Sequence, residues 1–223
     1  RYGENQHQKA EFAGNLSDVF IQHNGKELSY NNLLDADAAL GLIAEFEEPT
    51  IAVIKHNNAC GIASDASLLT AWEKALAGDP VSAFGGVIAF NRPVTAEVAQ
   101  AMHSLFFEIL LAPGYAAEAL QILSAKKNRM LLETKSFEWP KRRVRTLLNG
   151  TLIQDTDNAT ETREQLKCVT NTCPNDSELN DLVFAAKVCK HSKSNAITLV
   201  KNGQLLASGV GQTSRVDALK QAI

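Results

Sequence analysis

The residues best suited to chemistry are an adjacent lysine and histidine, Lys55 and His56, in the stretch Ile54-Lys55-His56-Asn57-Asn58-Ala59-Cys60-Gly61. Histidine exchanges protons near neutral pH. Lysine offers a compact positive charge for an oxyanion that develops during a reaction. Adjacent residues of an extended chain point to opposite faces, so the two serve one site only if the chain bends here. Taken alone, such a dipeptide is more often a solvated strand end. Three other regions carry suggestive residue types. Asp79-Pro80-Val81-Ser82-Ala83-Phe84-Gly85-Gly86 ends in two glycines that would let a ligand approach the backbone, but it reads equally well as a tight helix-to-strand turn. Glu108 stands before Ile109-Leu110-Leu111 and could hold an amine or hydroxyl, although an exposed glutamate without a role is commoner. The last region comprises Lys190-His191-Ser192-Lys193-Ser194-Asn195 and Gly209-Val210-Gly211-Gln212-Thr213-Ser214-Arg215, clusters of small and polar residues. Ser214-Arg215 falls at a helix start, a natural anion site. Gly209-x-Gly211 lacks the third glycine of a dinucleotide-binding fingerprint.

The elements that must position these residues alternate between strand and helix. Thr50 to Ile54 is short, apolar and β-branched, as a buried strand is. Leu68, Leu69, Trp72, Ala75 and Leu76 form a helical stripe over 67–77. Buried strands are expected at Val87–Phe90, Ile109–Leu111 and Met130–Leu132, with helices over 95–106, capped by Thr95, and 116–127. This order implies an α/β layered domain. Sites in such folds gather at strand carboxyl ends and the loops that follow. Residues 136–145 read as an exposed loop before a strand at Thr151–Gln154, and the polar stretch 155–176 as a boundary between lobes. Beyond it, a helix over 178–190 capped by Ser177 leads to strands at 196–200 and 205–208. Asn202-Gly203 between them is a hairpin signal.

Composition sets the outer bounds. The chain has 223 residues, 45% hydrophobic and 21% charged, with a formal net charge of -3. An ordinary globular core is expected, and a broad basic surface for nucleic acid is not. No apolar run approaches the roughly 20 residues that span a bilayer. The polar opening Arg1-Tyr2-Gly3-Glu4-Asn5-Gln6-His7-Gln8 is not a signal peptide. The missing initiator Met, and a C-terminus inside the first turns of a helix, suggest a piece of a longer protein. Cys60, Cys168, Cys173 and Cys189 form no C-x-x-C pair, so reduced thiols in a cytoplasmic protein are expected and zinc ligation is not.

The motifs are weak singly, but their order along the chain is specific. Arg1-Tyr2-Gly3-Glu4-Asn5-x-His7-Gln8 resembles the opening of the transformylase region in the AICAR transformylase/IMP cyclohydrolase family. The resemblance continues through Ser29 to Ala39, Lys55 to Gly61, Asp79 to Gly86, Ala112-Pro113-Gly114-Tyr115, His191 to Ile197 and Gly211-Gln212-x-Ser214-Arg215, and so covers nearly the whole chain. Gln6, and Ala59 before Cys60, stand where many members have proline; both positions shape the backbone.

The resemblance implies a cytidine deaminase-like three-layer α/β fold, with residues 1–165 as a first lobe and 166–223 as the truncated start of a second similar one. It implies transfer of a formyl group from 10-formyltetrahydrofolate to the 5-amino group of AICAR in purine (IMP) biosynthesis, with no catalytic metal. Lys55 and His56 match the family's catalytic pair. Arg1, Tyr2, Gly85, Glu108, Asn195 and Arg215 match nucleotide contacts, and Val216 sits where folate contacts begin. The family position at Glu108 also accepts Asp, so only the carboxylate is carried over. Zinc deaminases need H-x-E and P-C-x-x-C, and neither is present in this sequence. A homodimer with sites shared between subunits is implied, with neither nucleic acid nor membrane as partner. A cyclohydrolase domain is expected before Arg1 and the remainder of the second lobe after Ile223, so the isolated chain is expected to be inactive or nearly so. The competing readings are a nucleotide-binding or dimerisation fragment without a complete site, and a deaminase relative that would bind zinc.

Overall fold

The computed structural model describes residues 3–223. In chain order it forms β1 (Phe20–Asn24), α1 (Tyr30–Ile43), β2 (Thr50–Lys55), β3 (Asn58–Ser64), α2 (Leu68–Gly78), β4 (Val87–Phe90), α3 (Ala96–Met102), β5 (Ile109–Ala112), α4 (Ala117–Ser124) and β6 (Met130–Thr134). It continues with β7 (Arg142–Leu147), β8 (Gly150–Asp155), α5 (Asp176–Lys190), β9 (Ile197–Lys201), β10 (Gln204–Gly209) and α6 (Arg215–Ala222). Eight strands share one sheet in the order β1-β6-β5-β4-β2-β3-β10-β9, while β7 and β8 pair as a separate ribbon. The strands β4, β5 and β6 run parallel, whereas β2 is antiparallel to both its neighbours, β3 and β4.

The unbroken apolar run of β2 follows from its place in mid-sheet, with helices on both faces. Ile51 and Val53 pack in one core with Trp72, Val98 and Met102 of α2 and α3. Ala52 and Ile54, pointing the other way, pack in a second core with Leu40 and Ile43 of α1 and Phe184 of α5. The result is three layers, helix on sheet on helix. Each large side chain so buried contributes about 1.5–3 kcal/mol, which makes the middle of the sheet a rigid base for whatever its edges carry. Helix α1 starts in a capping box: the Ser29 hydroxyl accepts from Asn32 N–H, and the Asn32 side-chain oxygen accepts from Ser29 N–H.

The structure departs from the sequence expectations in several places. The stretch after His56 is a strand, β3, rather than a loop. Helix α3 ends at Met102, short of Phe106, and the buried Arg129 guanidinium donates to the carbonyls of His103 and Leu105 beyond it. Within residues 136–145, expected as an exposed loop, 142–145 belong instead to β7 of the exposed β7–β8 ribbon. The cap of α5 is Asn175 and not Ser177, because Asn175 and Glu178 close a reciprocal capping box. Cys168 and Cys173, expected as thiols, are joined in a disulfide; the four exposed loop residues between them let their Cα atoms approach to 5.5 Å. The Asn202-Gly203 hairpin forms as expected, with both residues at positive φ. Strand β10 then continues the main sheet beside β3, through a single register pair, Gln204 with Ala63.

Candidate functional site

The register of the sheet gathers the candidate residues at one edge. Because β2 is antiparallel to β4, with Ile54 opposite Val87, the carboxyl end of β2 lies beside the amino end of β4. Val87 pairs with Ile109, so the amino end of β5 lies there too. Lys55, Gly85 and Glu108 therefore share an edge. Only Lys55 obeys the expectation that sites gather at strand carboxyl ends. Gly85 and Glu108 precede their strands, and it is the reversed direction of β2 that brings them together.

The chain bends at His56 as a shared site requires. Lys55 pairs with Asn58 at the end of the β2–β3 ladder, leaving a two-residue turn of His56 and Asn57. Their φ values are 51° and 64°. Positive φ at both central residues is the signature of the tight hairpin turn that suits strand twist, which Asn and Gly fill most readily. Asparagine at the second position fits; histidine at the first is unusual, and such outliers cluster at functional sites. The turn leaves the His56 side chain exposed and sends Lys55 across to the next loop.

The Lys55 ammonium donates to the Phe84 carbonyl at 2.5 Å. Gly85, at φ 70°, is in the left-handed region, and a Cβ there would lie 3.3 Å from Lys55 Nζ. Gly85 thus admits the lysine head, and its loop stays on the sheet through Gly85 N–H to the Phe106 carbonyl at 2.8 Å. The rings of Phe84 and Phe106 pack 5.1 Å apart beside it, both substantially exposed. Burial pushes the thiol of Cys60, within the same motif as Lys55, up to about 11, which disfavours the reactive thiolate.

Two residues on α1 complete this edge, and sequence reasoning assigned neither. Asn32 Nδ2 donates to Glu108 Oε2 at 2.8 Å, and Asp35 Oδ1 accepts from Asn57 N–H at 2.7 Å. Burial raises the Asp35 carboxyl above its ordinary value, opposed by the Asn57 N–H and by the charges of His56 and Lys55. The signal was present: Asn32 and Asp35 are three apart on a helix, hence on one face, and both lie in the Ser29–Ala39 motif.

The remaining candidates flank the same edge farther along. Strand β9 begins at Ile197, opposite Gly209 at the end of β10. The 191–195 loop and the 211–215 loop therefore lie together, and Asn195 is tied to Gln212 by reciprocal backbone bonds of 3.1 and 3.3 Å and a 3.1 Å side-chain bond to its carbonyl. The loop reaches the β2–β3 turn where Lys193 N–H points at Asn58 Oδ1, 3.5 Å away. Two strand spacings separate β2 from β10, roughly 10 Å. Arg215 and Val216 open α6 and are exposed; Arg215 makes no ion pair among the described residues. The helix-start argument for an anion is weaker than expected there, since Asp217 already occupies the first turn and bonds Ser214. Arg215 must supply the positive charge itself. Arg1 and Tyr2 lie outside the described residues. On the α1 side of the turn, His56, Asn57, Asn58, His191 and Lys193 border a cleft of about 650 Å³. Among the described residues no group of three or more His, Cys, Asp and Glu side chains could hold a metal ion, and no helix is long and apolar enough to cross a membrane.

The fold and site define a three-layer α/β protein whose polar centre lies at one edge of a mixed sheet. Comparison with known proteins places it further. The model of the AICARFT/IMPCHase bienzyme family matches residues 1–223, and the chain belongs to that family. It is 57% identical over 223 residues to the bifunctional purine biosynthesis protein PurH of Bacteroides thetaiotaomicron, covering 100% of this chain and 44% of that protein. The proteins of the same name from Leuconostoc citreum and Chlorobium phaeovibrioides are each 46% identical, with the whole chain again covered, and 46% and 44% of those proteins. The chain thus spans a little under half the length of the curated relatives it matches.

Proposed function

We propose that this chain carries the formyl-transfer site of a bifunctional enzyme of purine biosynthesis, which moves a formyl group from 10-formyltetrahydrofolate to the 5-amino group of AICAR. The observation that carries the reading is the β2–β3 turn, which sets His56 beside Lys55 at the edge that also holds Gly85 and Glu108. In the reaction the AICAR amine attacks the formyl carbon. His56 takes a proton from the amine, and the Lys55 ammonium balances the charge on the tetrahedral oxyanion. The intermediate collapses with cleavage of the bond to N10 of the folate. The proton held by His56 passes to that nitrogen, leaving tetrahydrofolate and FAICAR. Lys55 now rests on the Phe84 carbonyl, a neutral acceptor that an oxyanion would outcompete.

Arg1, Tyr2, Gly85, Glu108, Asn195 and Arg215 hold the nucleotide in this reading, with Arg215 and Arg1 suited to its phosphate and Val216 toward the folate. Glu108, steadied by Asn32, accepts from a substrate N–H or O–H. The exposed Phe84 and Phe106 rings offer a flat heteroaromatic cosubstrate a surface to stack on. We read the fold as cytidine deaminase-like, with 166–223 opening a second lobe that joins the first through the β10–β3 register pair and through α5, whose Phe184 and Val188 lie in the α1 core. The enzyme is read as a cytoplasmic homodimer with shared sites. The wholly exposed β7–β8 ribbon, with Val144, Leu152 and Ile153 in the open, supports a partner surface. For the 223 residues in isolation a second reading competes, a nucleotide-binding piece without a complete site, favoured by the share of its relatives that the chain spans.

The test is a formyl-transfer assay with AICAR and 10-formyltetrahydrofolate. The whole protein is expected to form FAICAR, and the isolated chain to bind AICAR with little or no turnover. A folded whole protein that forms no FAICAR contradicts the reading; turnover by the isolated chain contradicts only the second.

A further inference from the structure

The β2–β3 turn places a histidine where the backbone resists one. A non-glycine residue at positive φ sits in a sparsely populated region, and His56 is followed immediately by a second, Asn57. Such a turn persists only if its surroundings over-determine it. The strand ladder below it ends at the Lys55–Asn58 pair, and Asn58 Nδ2 closes back on the His56 carbonyl at 2.9 Å. Among the described residues, the one hydrogen bond from outside the hairpin that grips the backbone of its two turn residues comes from α1. There Asp35 Oδ1 accepts from Asn57 N–H at 2.7 Å, across 22 positions of sequence.

We propose that Asp35 is a positioning residue that holds His56 in its reactive conformation by pinning the turn through Asn57. The anchor is firm. Next to Asp35, Ala36 is fully buried, and Ala39, Leu40 and Ile43 fix α1 in the core that includes Ile54 of β2. The carboxylate therefore cannot follow the turn if the turn shifts. A bond from a backbone N–H to an ionised acceptor is among the stronger hydrogen bonds. Asn32, one turn earlier on the same helix face, steadies Glu108 in the same manner. One face of α1 thus sets two groups of the site that lie at the ends of different strands. Asp35 touches neither the amine nor the formyl group in this account; it acts only through the turn.

The inference rests on the formyl-transfer reading, so its test carries a control for that reading. Asp35→Ala, Asp35→Asn and His56→Ala are made in the whole protein and assayed with AICAR and 10-formyltetrahydrofolate. A misplaced catalytic group costs up to roughly 100-fold in rate. D35A is expected to lower kcat about 10- to 100-fold with KM for AICAR within about twofold, and D35N, which keeps the acceptor oxygen, to recover most of the loss. If D35A does not fold, Asp35→Glu, which keeps the charge but displaces the acceptor by one methylene, is expected to show the same loss of kcat. Unchanged kcat in the folded variants, a loss confined to KM, or a D35N as impaired as D35A would overturn the inference. Should the folded whole protein form no FAICAR at all, the failure lies with the formyl-transfer reading and not with Asp35; should His56→Ala turn over like the parent, formyl transfer stands and the inference about Asp35 is overturned with the role of His56.

Discussion

At the scale of single residues, backbone conformation decides more than side-chain identity. Gly85 and His56 both occupy the left-handed region, one with no steric cost and one against it. For Gly85 the requirement is double. Any side chain would strain φ 70°, and a Cβ would stand 3.3 Å from the Lys55 ammonium. Gly85→Ala should cost about 1–2 kcal/mol from the backbone alone, and should also push Lys55 from its place beside the loop. Thermal unfolding and formyl transfer of the whole protein check both halves. We expect a lowered melting temperature together with a lowered kcat; a variant matching the parent in both would show that the left-handed glycine is incidental. Cys60 lies in the same motif and is set apart chiefly by burial, with the Asp79 charge adding to it, since a thiol pushed up to about 11 stays protonated at neutral pH.

At the scale of elements, one carboxylate ties the end of α1 to α5. Glu45 bonds Lys190 at 2.8 Å, His191 at 2.9 Å and the Thr160 hydroxyl at 2.8 Å, and its backbone carbonyl takes Lys187 at 2.7 Å. Burial by itself would raise the Glu45 carboxyl, but the bonds from Lys190, His191 and Thr160 outweigh it and hold it at about 2. A carboxyl depressed in the folded state stabilises fully above its unfolded value, near 4.5, and loses that contribution as pH falls toward 2. Glu45→Ala should therefore unfold at a lower temperature than the parent at pH 6, with the gap closing between about pH 4.5 and pH 2. A gap that stays constant across that range would contradict the ionised cluster. Much of this layer was legible in the sequence. The apolar runs of β2, β4 and β5 and the Asn-Gly hairpin announce themselves by composition. Three things did not. Strand β3 hides because its hairpin turn is His-Asn, which carries no glycine signal. The shared edge of Lys55, Gly85 and Glu108 depends on the antiparallel direction of β2, a matter of pairing that no local pattern encodes. Asp35 and Asn32 are ordinary polar residues on a helix until the sheet edge is set beside them.

At the scale of the whole molecule, an overall charge of -3 coexists with cationic side chains drawn toward one edge of the sheet: Lys55, Lys193 and Arg215, joined by His56. That disposition suits a small phosphate-bearing substrate better than an extended polyanion. The three-layer body fixes β2, β4 and β5 against one another, while β10 joins it through the β10–β3 register pair, through Leu205 in the α1 core and through the Gln204 side chain on the Lys74 carbonyl at 2.9 Å. The proposed reacting pair and the proposed phosphate contact thus belong to the two parts of the chain, and an AICAR molecule bound as proposed would bridge them. The central claim is that His56 takes the proton from the attacking amine, and its most direct test is formyl transfer by the whole protein carrying His56→Ala, with AICAR binding measured alongside. A positioned base contributes on the order of 10²- to 10⁴-fold. A loss of kcat of that size with AICAR still bound is the predicted result; turnover equal to the parent would contradict the account and leave the base to be sought elsewhere on this edge.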